Sequence, residues 1–271
     1  MMNSKAIQKV KGLIRDILRG RRSGRRVRVF PDDIFIVSYP KSGNTWVRFL
    51  VANLLYPFQK ITFANIEQIV PDIYQVPDRI LNSLDRPRVL KSHEYFDPRY
   101  NKVIYIIRDP RDVILSYYYY HLKMRVIGES YPLDRYSEKF LQGELDPFGS
   151  WGENVGSWLG AREGDSGFLS IRYEDLRSDT DRGLTQIATF LGISASPTRI
   201  SQVAANCSFD AMRSAERQHG AQWAPIKGGR SDIPFVRSGT PGQWKTKLPI
   251  EIRKKIEVKW KRLLIHTGYL N

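Results

Sequence analysis

A single cysteine, Cys207, stands in the 271-residue chain. No disulfide can close within it, so stability must come from a packed core in a reducing compartment. No apolar run approaches the roughly 20 residues that cross a bilayer, and no signal peptide precedes the first strand; the expectation is a soluble cytoplasmic protein. There are only four histidines, and no cluster of Cys, His and carboxylates has metal-ligand spacing, so no metal is expected. Acidic residues are outnumbered 28 to 43 by Lys and Arg, and the resulting net charge of +15 favours anionic partners. With 41% hydrophobic and 12% aromatic residues, the chain can bury one sizeable core without dividing.

The charge excess is uneven. Residues 1–30 hold ten Lys and Arg and one acid, Asp16, a balance of +9 that leaves +6 for the rest. Residues 5–19 place Ile7, Val10, Ile14, Ile17 and Leu18 on one stripe among basic residues, the pattern of a basic amphipathic helix. Three readings stand: a terminal helix packed on the domain, which is favoured, a peripheral contact with an anionic membrane surface, or an organelle presequence. Residues 1–26 are therefore set apart as an extension from a domain spanning 27–271. A nucleic-acid partner would rest on this extension alone and is not expected.

Motif content begins where the apolar run Asp33–Val37, read as a strand buried on both faces, gives way to Ser38-Tyr39-Pro40-Lys41-Ser42-Gly43-Asn44-Thr45-Trp46. Trp46, Phe49, Leu50 and Leu54 then recur at helical spacing. A strand–loop–helix of this kind aims unpaired backbone N–H groups and the positive helix end at one point. Gly43 supplies a left-handed turn position, and Asn44 or Thr45 is expected to cap the helix. With Lys41 and the hydroxyls of Ser42 and Thr45 added, the ligand it suits is a phosphate-like dianion. The nucleotide-hydrolysing loop G-x-x-x-x-G-K-[ST] is absent, because the lysine precedes the glycine and position 38 is serine. A P-loop kinase is thus the weaker enzyme class, and a basic membrane- or nucleic-acid-binding module the alternative outside enzymes.

Tyr39–Trp46 resembles the 5'-phosphosulfate loop of the cytosolic-type sulfotransferases, which transfer a sulfuryl group from 3'-phosphoadenosine 5'-phosphosulfate (PAPS) and release 3'-phosphoadenosine 5'-phosphate (PAP). Asn44 stands where that family usually has threonine. The resemblance implies contacts to the donor from Lys41, Ser42, Gly43, Asn44, Thr45 and Trp46. Lys91-Ser92-His93, ending a short core strand, is similar to the family's Lys-x-His, which implies His93 as general base, assisted by Lys91 and Lys41. A ligand beyond the carboxyl ends of the strands would lie within reach of that histidine, and an ordinary imidazole can accept a proton at neutral pH. Arg108, at the end of the strand Asn101–Ile107, and Ser116, eight positions on, resemble the 3'-phosphate motif; Ser116 is also expected to restrain Lys41. The rival reading pairs Arg108, Asp109, Arg111 and Asp112 with one another.

Further on, Tyr173-Glu174-Asp175 resembles the segment whose tyrosine contacts adenine, and Ser208-Phe209 one near the adenosine. Arg237-Ser238-Gly239, within a segment ending Gly242-Gln243-Trp244-Lys245, is similar to the loop that closes over the 3'-phosphate. Ser238 and Gln243 depart from its usual lysine and aspartate, which lowers the charge there. The family's dimerisation motif is not matched: Lys245, Pro249, Ile250 and Lys254 occupy its places, and the oligomeric state stays open. The resemblance covers roughly residues 34–245. It implies one α/β domain, a central parallel sheet flanked by helices with a P-loop-like phosphate site, acting on a hydroxyl or amine of a small-molecule acceptor. Residues 56–88 are expected to be loop-rich, a lid or substrate-side wall, residues 125–150 a loop over the site, and Glu251–Ile265 one amphipathic helix.

Overall fold

The computed structural model describes residues 26–270. The expected amphipathic helix over 5–19 and nearly all of the 1–26 extension lie outside the described residues. Among these residues four strands, β1 (Ile34–Ser38), β2 (Val89–Ser92), β3 (Lys102–Ile107) and β4 (Phe168–Arg172), form one parallel sheet in the order β2-β1-β3-β4. Ile34 is paired with Val89 on one side and Lys102 on the other, and Val103 with Phe168.

Alternation along the strands divides the core into two layers. Phe35 and Val37 of β1 and Val103 and Tyr105 of β3 pack with Phe140, Trp151, Trp158 and Leu264 on one face. Ile34 and Ile36, with Ile104 and Ile106, pack on the other face with Phe49, Leu50, Leu184 and Ile187. Every residue of β1 is buried, which is why the strand reads as an unbroken apolar run. Helices cover both faces as expected: Asn44–Leu55 and Thr180–Leu191 on one, Pro110–Lys123 and Trp151–Arg162 on the other.

The strand order fixes where a ligand can enter. From β1 the chain crosses to β2 on one side and then returns to β3 on the other. The connections leaving the carboxyl ends of β1 and β3 therefore diverge and open a crevice. Lys41 follows β1 there, and Arg108 follows β3.

Two expectations are corrected. The 125–150 stretch is not only loop but contains the helix Leu133–Gln142, with Tyr136, Ser137 and Phe140 buried. Pro132 and Gly143, which read as loop punctuation, are its two caps, Gly143 at φ 77°. The C-terminal helix is two, Ile250–Lys259 and Lys261–His266, broken at the buried Trp260. No helix among the described residues is long and apolar enough to cross a membrane.

Candidate active site

The loop after β1 takes two left-handed positions, Lys41 at φ 67° and Gly43 at φ 99°. For lysine this conformation costs on the order of 1 kcal/mol, a strain typical of functional loops. At Gly43 a side chain has no room, since a Cβ would lie 2.5 Å from the ring of Tyr173. The helix Asn44–Leu55 has Gly43 as its N-cap and no side-chain cap, so the expected capping by Asn44 or Thr45 is not found. Asn44 turns into the sheet instead, where its Nδ2 donates to Ile36 O at 3.2 Å, Ser38 Oγ at 3.3 Å and Ser92 O at 3.4 Å. That side chain locks β1, β2 and the helix together below the loop. Ser42 Oγ and Arg108 Nε, both buried beside this loop, have no hydrogen-bond partner among the described residues. Buried donors left open in this way fit an anion seated on the loop.

Arg108 does not join the ion pairs of its own segment. Its Nη1 donates to Lys41 O at 3.0 Å and its guanidinium lies 4.4 Å from the centre of the Tyr173 ring. The pairing anticipated as a rival reading is confined to Arg111, which forks onto Asp109 and also meets Glu257. Asp112 accepts from the backbone N–H groups of Gly242 and Trp244, which fastens the 237–244 segment across the mouth. Arg237 donates to the side-chain oxygen of Gln243 at 2.9 Å. Ser116, Arg237, Ser238 and Gly239 border one cavity with Arg108. No hydrogen bond joins Ser116 to Lys41 among the described residues. The Lys41 ammonium sits between the rings of Tyr120 and Phe235, an arrangement favoured where the charge is out of water.

At the end of β2, His93 Nδ1 lies 2.7 Å from Ser38 O. A carbonyl only accepts, so Nδ1 carries the proton and Nε2 keeps its lone pair. Burial, reinforced by Lys91, holds the imidazole well below its usual pKa of 6.5, and it is neutral at pH 7. Its backbone is fixed by Tyr74 OH accepting from the His93 N–H, at 3.1 Å, and by Asn154 donating to the His93 carbonyl at 3.0 Å. Lys91 is committed to Asp72, Nζ to Oδ2 at 2.8 Å, and burial lowers its pKa despite that partner. Lys41 is pushed down to about 7, by burial first and then by Arg108 and Lys91.

One cavity of about 350 Å³ connects these groups. Its aromatic end is built by Trp46, Tyr173 and Phe209. The indole of Trp46 donates to Cys207 O at 2.8 Å and meets the Tyr173 ring edge-on at 5.7 Å. Ser208, expected to contact the donor, is exposed and caps the helix Phe209–His219 by accepting from Ala211 N at 3.3 Å; its side chain is not among those lining the cavity. Beyond His93 the wall is apolar and aromatic, with Tyr74, Tyr117, Tyr120, Phe148 and Trp223. Phe148 sits 5.5 Å from the His93 ring and 5.0 Å from Tyr74, centre to centre.

Several residues here were not singled out from the sequence. Asp72 and Tyr74 come from the proline-punctuated 56–88 stretch, and Arg177 from the short helix that begins at Tyr173; none had a pattern to flag it. Tyr120 lay within a run of four tyrosines that offered no way to choose among them. Glu174, read as structural, accepts from Asp109 N and from Tyr269 OH. Among the described residues no group of three or more His, Cys, Asp or Glu is placed to hold a metal ion.

Comparison with known proteins bears on this arrangement. Sulfotransferase 2A2 of Mus musculus is 32% identical over 232 residues, covering 79% of this chain and 78% of that protein. Sulfotransferase 1E1 of Rattus norvegicus is 26% identical over 253 residues, covering 86% and 83%. Among solved structures, mouse sulfotransferase SULT7A1 complexed with PAP is similar with a TM-score of 0.72 at 24% identity, covering 89% of this chain and 87% of that one. Retinol dehydratase in a complex with retinol and PAP has a TM-score of 0.74 at 20% identity, covering 89% and 84%; at such identities these two speak for the fold. A family model described as "Sulfotransferase domain" matches residues 31–268. The fold is that of the sulfotransferases, and the chain belongs to the sulfotransferase domain family.

Proposed function

We propose that this sulfotransferase takes its sulfuryl group from PAPS and delivers it to a hydroxyl of a small, largely apolar acceptor, with His93 as general base. One observation carries the reading: the Nδ1–H of His93 is spent on Ser38 O, at 2.7 Å, so the basic Nε2 serves a cavity that Lys41 and Arg108 also border. The residues present fit a doubly phosphorylated adenosine. Ser42 Oγ and Arg108 Nε supply open buried donors, Gly43 lets the backbone approach, and Trp46 with Phe209 offers faces for a purine.

The chemistry needs little covalent work from the protein, because attacking and leaving oxygens lie in line and charge is spread over the transferred group. His93 Nε2 takes the acceptor's proton as its oxygen attacks. Lys41 and the loop N–H groups stabilise charge growing on the leaving phosphate oxygen. The pair Lys91–Asp72 holds a net neutral wall next to the base and sets β2 against the 70–76 segment. Tyr74, Phe148 and Trp223 keep water from the acceptor side and favour a ring-bearing or aliphatic hydroxyl compound over a highly charged one; an amine is the second acceptor class.

Residues 27–271 form the catalytic domain in this reading, and 1–26 a separate basic extension whose residues 5–19 make a peripheral membrane contact. The protein works in the cytoplasm, without nucleic acid. The test is transfer from labelled PAPS to a panel of phenols, alcohols and amines, alongside calorimetric titration with PAP. Transfer to phenols or alcohols is expected. Absence of heat with PAP would sink the donor assignment.

A further inference from the structure

Six basic side chains border the cavity: Lys41, Arg48, Lys91, Arg108, Arg177 and Arg237. Carboxylates neutralise two of them, Arg48 with Glu67 at 2.9 Å and Lys91 with Asp72 at 2.8 Å. Among the described residues the other four meet no carboxylate. Arg108 and Arg177 donate to carbonyls, Arg237 to an amide, and Lys41 lies between two rings. A nucleoside with a 3'-phosphate and a 5'-phosphosulfate carries about four negative charges at neutral pH. Four cationic side chains without a carboxylate partner match that charge once a bound anion keeps Lys41 protonated, and Arg177 is one of the four.

Its placement is specific. Arg177 lies on the short helix Tyr173–Ser178, four residues after Tyr173 and on the same side. Its Nε donates to Gly239 O at 3.1 Å, and Tyr173 OH donates to the same oxygen at 3.3 Å. The guanidinium carbon lies 5.0 Å from the centre of the Trp46 ring. One edge of the fork is thus tied to the 237–239 segment and its plane is steadied by the indole. The two Nη groups meet no protein acceptor among the described residues. Because the fork is already oriented, little side-chain entropy is lost when it binds an anion.

We infer that Arg177 is a further donor-binding residue, directing its Nη groups at the 3'-phosphate beside Ser238 and Gly239. The inference rests on the nucleotide assignment above. Ser238 borders the cavity next to Gly239, the residue Arg177 holds, so a lysine at 238 would bring a replacement charge to the same spot.

The experiment is calorimetric titration with PAP and with adenosine 5'-phosphate, which lacks the 3'-phosphate. The proteins are the wild type, Arg177→Gln, and Arg177→Gln combined with Ser238→Lys. Losing a charge-assisted fork is expected to weaken PAP binding roughly tenfold or more, with adenosine 5'-phosphate changed less than about threefold. Ser238→Lys is expected to restore most of the lost PAP affinity, which no purely structural role of Arg177 would allow. Unchanged PAP binding, equal losses for both nucleotides, or failure of the lysine to rescue a variant that still binds adenosine 5'-phosphate would overturn the inference. If the wild type itself binds no PAP, the nucleotide assignment falls, and Arg177 with it.

Discussion

The ammonium of Lys41 lies 4.1 Å from the centre of the Tyr120 ring, with the Phe235 ring 4.2 Å away. Burial and the neighbouring cations bring its pKa down to about 7, whereas an unfolded lysine keeps its proton up to about 10.5. Between those values the unfolded chain binds more protons, so stability rises with pH across that window. Lys41→Met is expected to be more stable than wild type at pH 6 in the unliganded state, with the gap closing towards pH 10. Thermal melts across that range check the sign. An anion on the loop restores the charge, so PAP binding at pH 8 takes up a proton, measurable as a buffer-dependent binding enthalpy.

For His93 the sign runs the other way in function. The base works only when neutral, and burial keeps it neutral to well below its usual pKa of 6.5. The acid limb of kcat/KM is therefore expected below pH 6.5. His93→Ala is expected to lower kcat by roughly 100- to 10,000-fold, the usual worth of a positioned base. PAP affinity should stay within about threefold, since no donor contact depends on the ring. Near-wild-type turnover in this variant would show that another group removes the proton.

Much of this was legible because buried parallel strands read as continuous apolar runs, and Ile34–Ser38 and Lys102–Ile107 are such runs. The loop chemistry was legible too, since Lys41, Gly43 and His93 sit at strand ends where open sheets place ligands. The neighbour order of the strands was not, because pairing between segments as far apart as Ile34 and Val89, or Ile34 and Lys102, leaves no local pattern. Leu133–Gln142 was missed because Pro132 and Gly143 bound a helix with the same residues that mark a loop. Asn44 looked like a cap by its place at a helix start, yet its Nδ2 donates to three acceptors on β1 and β2, which turns the amide into the sheet and away from the helix N–H groups. Asp72 could not be foreseen at all, for its value lies in meeting Lys91 across 19 residues.

Arg108 tests the two phosphate ends separately. Its open Nε lies beside the loop, but one Nη is used on Lys41 O at 3.0 Å. Arg108→Ala is expected to cut affinity for PAP by about 10- to 100-fold, as for a lost bidentate charge contact. Adenosine 5'-phosphate should lose only about threefold, through the slackened Lys41 carbonyl. Equal losses on competition titration would move Arg108 to the other end of the nucleotide.

The pair Lys91–Asp72 is almost wholly buried, which makes its two halves unequal in a mutation series. Asp72→Asn leaves an uncompensated ammonium beside His93 and is expected to cost about 3 to 5 kcal/mol. Replacing both, Asp72→Leu with Lys91→Met, should recover much of that loss, because no charge then remains to be desolvated. Denaturant unfolding of the single and double variants measures the difference, and a double variant no better than the single would indicate that the pair is stabilising in itself.

Gly43 meets two separate constraints, and they can be divided. Its φ of 99° disfavours any side chain, and a Cβ would sit 2.5 Å from Tyr173 Cδ2. The ring cannot easily move aside, because its hydroxyl is tied to Gly239 O and the Arg108 guanidinium covers it. Gly43→Ala must therefore shift the loop, costing on the order of 1 to 3 kcal/mol in backbone strain and displacing the N–H groups aimed at the 5'-phosphate. Adding Tyr173→Ala removes the clash but leaves the strain. If the clash dominates, stability in the double variant should return towards that of Tyr173→Ala alone; if the backbone dominates, the full loss persists. PAP binding should suffer in every variant carrying alanine at 43, and an alanine variant that binds PAP as tightly as wild type would mean that this loop does not hold the phosphate.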